Sequence, residues 1–286
     1  MSVSYNRKKR CYKVIELPSI KATETYGIKG CCDKFIMLAN GIEDWQNDVT
    51  SAWFKKQLDT DNCTIVLLND NDVNTTYQPT LKICVNDTNG VYATINWKEV
   101  IQQDGIGCYK IQVNYTIAGN TGTLIWGEYE VKQYSPDNAK NTIRIKSIFN
   151  QYNNIEKINF LDCKVVDTIR FYGFFGKRQP NVIIDNLIYQ NRSIGNVQRE
   201  NLNSYILKTD PITINYTNKI LDLHFLSEAE IYLSDHNPLN HTSEYKNIPL
   251  SIAESAEVDY FDDSIYANIT CKFNDKSRTK YTNALI

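Results

Sequence analysis

Nine consecutive residues, Tyr109 to Ile117, alternate without a break. Tyr109, Ile111, Val113, Tyr115 and Ile117 fall on one side of an extended chain, and Lys110, Gln112, Asn114 and Thr116 on the other. A period of two is that of a strand with one buried and one wet face. The neighbouring runs CTIVLLN, TLKICVN, VYATINW and TLIWGEYEVKQY are equally rich in β-formers, and clusters of Asn, Asp, Gly and Pro separate them. Short strands at such spacing predict an antiparallel sandwich. Asn120-Thr-Gly122 suits a hairpin turn into the TLIWGEYEV strand.

The pattern extends both ways. Upstream, CYKVIEL (Cys11–Leu17) reads as a strand ended by Pro18, and Phe35–Leu38 as a short apolar run closed by Asn40-Gly41. Downstream, TIRIKSIF, KINFLDCKV, DTIRFYGFFG, NVIIDNLIYQ, NVQRENLNSYILKT, ITINY, Ile231–Leu233, NIPLSIAES and SIYANITCKF continue as strands. The polar, proline-containing Ser135-Pro-Asp-Asn138 marks a boundary at about 136–140. The expected fold is mainly β: two β-sandwich-like domains of antiparallel strands with one or two short helices. Residues 1–10 form a basic arm, 11–137 the first domain, and 138–286 the second, with a short helix near 218–227. In that helix Asn218 is the expected N-cap, and Ile220, Leu223 and Leu226 share a face with Leu221 and Phe225 beside it. Trp97–Ile101 reads as a helical turn. Glu43–Leu58 has two readings: a loop anchored by Trp45 and Trp53, or a helix capped by Asp48 with Ala52, Phe54 and Leu58 inward.

Totals restrict the function classes. A net charge of −2 gives no global attraction to nucleic acid or an anionic membrane. The basic arm reads as a solvated, frayed terminus rather than a DNA or subunit-bridging contact. No window approaches the length of a membrane-spanning helix, and MSVSYNRKKRCYKVIELPS contains no apolar core of a secretion signal. A chain folding in a cytosol is expected. The cysteines 11, 31, 32, 63, 84, 108, 163 and 271 then read as reduced thiols, most of them within apolar strands. The Asn-x-Ser/Thr triplets read as chance products of a chain rich in both residue types. The bias toward Asn, Ile, Lys and Tyr suits an A/T-rich genome.

Candidate chemistry is thin. His236 and His241 with Asp235 lack the third ligand and fixed spacing of a zinc site, and His224 reads as a packing or surface residue. Asp259, Asp262 and Asp263 lack the glycine and terminal glutamate of a calcium loop and read as a solvated turn. Phe171–Gly176 reads as a core strand with a glycine-permitted bend. There is no nucleophile elbow, P-loop, zinc-protease helix or dinucleotide turn. No residue is nominated as catalytic, cofactor-binding or metal-ligating, no cofactor is expected, and the chain reads as a non-enzyme.

WKEVIQQDGIGCYKIQV, TIRIKSIFNQYNNIEKINF, DTIRFYGFFGKRQP, VQRENLNSYILKT and EAEIYLSDHNPLNHTSEYKNIPL occur in that order. Over about residues 11–275 the chain resembles the ring proteins of the tail barrel of crAss-like phages of Bacteroidetes. The resemblance implies a structural virion protein of the tail, folded in the host cytoplasm and assembled as a homo-oligomeric ring, dodecameric in such tails. It would surround the DNA channel, contribute to genome ejection, and contact neighbouring tail, portal or other ring proteins. DNA would pass without sequence-specific binding, and no membrane contact is implied. A near-neutral chain suits a lumen that does not hold phosphates. Two other readings remain: a baseplate or receptor-binding β-sandwich that recognises host glycans through exposed aromatics, and a polysaccharide hydrolase with facing carboxylates.

Overall fold

The computed structural model describes residues 34–56, 61–117, 119–153, 157–176, 178–188, 190, 192, 194–225, 230–236, 245–262, 264–276 and 279–282. In chain order the first elements are β1 (Phe35–Ala39), β2 (Val49–Lys55), β3 (Asn62–Asn69), β4 (Lys82–Cys84), β5 (Asp87–Asn96), α1 (Trp97–Asp104), β6 (Gly107–Ile117), β7 (Asn120–Gln133) and α2 (Pro136–Ala139). Then come β8 (Thr142–Phe149), β9 (Tyr152–Asn153), β10 (Ile158–Asn159), β11 (Val165–Phe175), β12 (Gln179–Ile188), β13 (Ile194–Thr209) and β14 (Ile212–Thr213). The last are α3 (Ile214–Asn218), β15 (Glu230–Asp235), β16 (Tyr245–Ile252), β17 (Glu257–Tyr260), β18 (Tyr266–Asp275) and β19 (Thr279–Thr282). The protein is mainly β, as its alternation predicts.

A large mixed sheet runs in the order β12-β13-β18-β16-β15-β8-β11-β1-β7-β6-β3. Among the described residues β1 pairs with β7 in parallel and the other strand pairs are antiparallel. β1 lies between β11 and β7, so the sheet continues across α2, which occupies the expected boundary. A smaller sheet, β2-β5-β4, covers part of it. Trp53 is the wedge between the layers, with ring centroids 5.4–5.5 Å from Trp126, Phe149 and Phe160. The alternation of β6 is obeyed: Tyr109, Ile111 and Val113 are buried against the core.

Local chemistry explains the helical pieces and corrects three expectations. α1 starts where Asn96 accepts the Lys98 amide at 3.1 Å and ends at Gly105, whose φ of +89° favours glycine. The β6–β7 reversal falls at Gly119 (φ +83°) rather than at Asn120–Gly122, which already belongs to β7. Gly122 lies under the Tyr115 ring, where a Cβ has no room. Over its described residues, 43–56, the Glu43–Leu58 stretch is neither of the two forms expected: a single 3-10 turn (Asp44–Gln46) leads into β2, and Asp48 caps no helix, while Leu58 lies outside the described residues. The later helix also starts earlier than expected. α3 follows Thr213, passes through Asn218 rather than being capped by it, and continues as a π-helix from Lys219 to Phe225. Leu226, expected on its inner face, lies outside the described residues. The phenol of Tyr216 on α3 fastens β1, accepting from the Ile36 amide at 2.6 Å and donating to the Lys34 carbonyl at 3.2 Å.

Candidate assembly surface

Charged side chains buried in the interior fix the central strands of the large sheet. Arg144 on β8 and Arg170 on β11 are direct cross-strand partners, an arrangement that repels. Asp48 resolves it. Its carboxylate accepts from Arg144 Nε at 2.6 Å, from Arg170 Nε at 3.0 Å and from the Leu38 amide at 2.8 Å. All three side chains are buried. Burial alone would raise the Asp48 carboxyl; the charges of Arg170 and Arg144, with the Arg170 and Leu38 hydrogen bonds, outweigh it and hold it below the usual carboxylate range.

Three residues along β11, on its other face, Asp167 organises a second node. It takes the Ser51 amide at 2.9 Å, Lys219 Nζ at 3.1 Å and His224 Nε2 at 3.3 Å, while Ser147 Oγ lies 2.7 Å from His224 Nδ1. The π-helix makes this possible. An α-helix leaves residues five apart about 140° around its axis, whereas π winding, bonded i to i+5, brings Lys219 and His224 to one carboxylate. Burial lowers the His224 pKa more than Asp167 raises it, so the ring is neutral at pH 7. Nε2–H then faces the Asp167 carboxylate, and Nδ1 accepts from Ser147. Ser147, His224 and Asp167 are the residue types of a hydrolytic triad, yet all three side chains are sealed inside the sheets. In that setting they join β8, β11 and the helix rather than meeting a substrate.

The other residues singled out in the sequence are dispersed. His236 is buried and stacked on Trp45 at 5.3 Å, and Lys246 Nζ lies 4.8 Å from the centroid of the same half-buried indole. Burial lowers the His236 pKa to about 3. Asp235 is buried on β15, and His241 lies outside the described residues. Asp259 and Asp262 are exposed on β17 and the turn after it, and Asp263 lies outside the described residues. Phe171–Gly176 alternates: Phe171 and Phe175 enter the core while Tyr172 and Phe174 face outward. Trp53, buried, offers no stacking surface. Among the described residues no group of three or more His, Cys, Asp or Glu is placed to hold a metal, and no helix is long and apolar enough to cross a membrane. Cys63, Cys84, Cys108, Cys163 and Cys271 are free thiols; Cys11, Cys31 and Cys32 lie outside the described residues.

The surface feature that stands apart is β12 with its partner β13. β13 pairs with β18 only over Ser204–Lys208, but with β12 from Ser204 out to Ile194. The outer ten residues therefore leave the body as a ribbon about 33 Å long, flanked on the far side of β13 by β19. Its outer strand carries exposed aliphatic side chains: Val182 is 59% exposed, Ile183 42%, Ile184 47% and Ile188 72%. Register assigns the faces. Val182 and Ile184 pair with Asn201 and Arg199, in the row that continues from buried Tyr205 and Leu207. Ile183 pairs with Glu200, in the row of Lys208, which pairs with exposed Phe174. Both faces thus carry aliphatic side chains in water. Exposed apolar strand edges invite pairing, and proteins ordinarily blunt them with charge or twist. The signal was present in NVIIDNLI, where Val182-Ile183-Ile184 are three successive apolar residues without alternation before Asp185-Asn186, which fits a strand segment covered on both faces.

No model of a known protein family matches the chain, and no curated protein matches it.

Proposed function

We propose that the protein is a structural subunit that assembles with copies of itself through the β12–β13 ribbon, as a ring of the phage tail-barrel kind its sequence resembles. The carrying observation is the two-sided apolar ribbon. β12 and the outer part of β13, about 33 Å long and 10 Å wide, present about 330 Å² on each face, and β19 widens the sheet beside Gln198–Asn201. Covering both faces of the β12–β13 pair gives about 660 Å² per partner, close to the ~800 Å² of a specific interface; one face alone falls short. A closed ring needs two different surfaces per subunit, and a ribbon reaching into a neighbour meets that need by head-to-tail contact. The buried nodes at Asp48 and Asp167 stiffen β8 and β11, and β11 pairs with the inner end of β13 at Gly173–Phe175. Passage of DNA through such a ring, and contact with adjoining tail proteins, belong to this proposal.

The test is the mass of the full chain in solution. Light scattering on the purified protein gives a multiple of 33.0 kDa, and Val182→Asp with Ile184→Asp reduces it to one copy with an unchanged circular-dichroism spectrum. A wild-type monomer at micromolar concentration, or a double variant that still assembles, overturns the proposal.

A further inference from the structure

Cys84 and Cys163 belong to different parts of the fold and meet. Cys84 ends β4 in the small sheet, and Cys163 lies in the turn 161–163 that leads into β11 of the large one. The amide of Val85, next in the chain to Cys84, donates to Cys163 Sγ at 3.4 Å. Around this contact the hairpin tip is clipped to the turn. Asn86 Nδ2 donates to the Leu161 carbonyl at 2.9 Å, and the Tyr92 hydroxyl donates to the Cys163 carbonyl at 3.4 Å. Beneath it, Asp87 accepts from Lys55 Nζ at 2.9 Å and from the Asn159 amide at 3.3 Å. Gly90 leaves the room that the Cys84 sulfur occupies: a Cβ there would lie 3.1 Å from Cys84 Sγ. Cys163 is half-exposed and Cys84 is buried behind it.

We propose that Cys84 and Cys163 are a redox-active dithiol, which a low-molecular-weight disulfide converts to a cross-link between the small sheet and the large one. The chemistry balances with glutathione disulfide as oxidant. The Cys163 thiolate attacks one sulfur of glutathione disulfide and forms a mixed disulfide, and one glutathione leaves as thiolate and takes up a proton. Cys84 then loses its proton to solvent and attacks Cys163 Sγ, forming the Cys84–Cys163 bond and expelling the second glutathione. Two protein thiols are oxidised and one disulfide is reduced to two thiols. The exposure order suits the roles: Cys163 meets the reagent and Cys84 resolves the adduct. Burial, together with the nearby Cys163, pushes the Cys84 thiol up, so the second step is slow near neutrality and speeds up about tenfold per pH unit between 7 and 9.

The experiment treats the full chain with glutathione disulfide at pH 8.5 and maps peptides without reduction. The expected product is a Cys84–Cys163 cross-linked peptide that dithiothreitol removes, with a melting temperature raised by about 5 °C or more. Cys84→Ser accumulates a glutathione adduct on Cys163, and Cys163→Ser, at a half-exposed position, gives neither adduct nor cross-link there. A Cys163 that stays unmodified, keeps its adduct while Cys84 is intact, or pairs with any of the other six cysteines overturns the proposal.

Discussion

Replacing Asp48 by Asn removes one charge and leaves the shape. In the native protein this carboxylate is the acceptor for two guanidinium groups that face each other across β8 and β11. Asn retains one oxygen, which serves the Leu38 amide or one arginine, and turns an NH2 toward the other. Removing one partner of a buried ion pair costs about 3–5 kcal/mol, because the remaining charge is left uncompensated. Here two like charges stay behind at 1% and 0% side-chain exposure, so the upper part of that range applies. For a chain of this size about 2–4 °C accompany each kcal/mol, giving a fall in melting temperature of about 8–20 °C. Differential scanning calorimetry or urea unfolding monitored by tryptophan fluorescence measures it. Asp44→Asn is the internal control: that carboxylate, 82% exposed, meets Lys146 Nζ at 3.1 Å, and its loss changes stability by less than about 1 kcal/mol. Two variants of equal stability would refute the claim that Asp48 neutralises the arginine pair. Changing all three residues together to apolar ones of similar volume is expected to cost far less than the single change.

Acid lowers stability through the buried histidines. An imidazole whose folded pKa lies below the unfolded 6.5 leaves the unfolded chain to take the proton first, so stability declines as pH falls below about 6.5. For His236, at about 3 when folded, the loss between pH 6.5 and 5 is about 2 kcal/mol; His236→Gln flattens that part of a melting-temperature profile, and an unchanged slope contradicts it. Asp48 and Asp167, both held below 3.8, contribute stability that disappears only at lower pH, as they are protonated. Gly173→Ala places a Cβ 2.6 Å from the Lys208 carbonyl, where β11 passes from β8 to β13, and is expected to cost about 1–3 kcal/mol in chemical denaturation; a neutral result contradicts the close approach. Leu223→Asp, buried in the π-helix, abolishes soluble expression or folding, and an intact assembly carrying it shows that the helix is misplaced.

The parts of the fold set by near neighbours in sequence were legible. The alternation of Tyr109–Ile117, the helical turn at Trp97 and the strand character of Phe171–Gly176 all follow from residues one to four apart. Asp48 was misread because the groups that determine its role, Arg144 and Arg170, lie 96 and 122 positions away; locally it has the look of a cap. The helix of the second half is present, but it starts at Ile214 and winds as a π-helix from Lys219, which a 3.6-residue period does not encode. The wider winding brings both Lys219 and His224 to Asp167, a carboxylate on another strand. The ribbon was half legible. Its apolar run marked a strand, while its extension beyond the body follows from register with β18, which local pattern does not encode.

The most direct measurement is electron microscopy of the purified full chain. Closed rings of a single symmetry, with Val182, Ile184 and Ile188 of each copy covered by the next, are the predicted result. Single copies at micromolar concentration, or rings in which the β12–β13 ribbon stays uncovered in solvent, would contradict assembly through this surface.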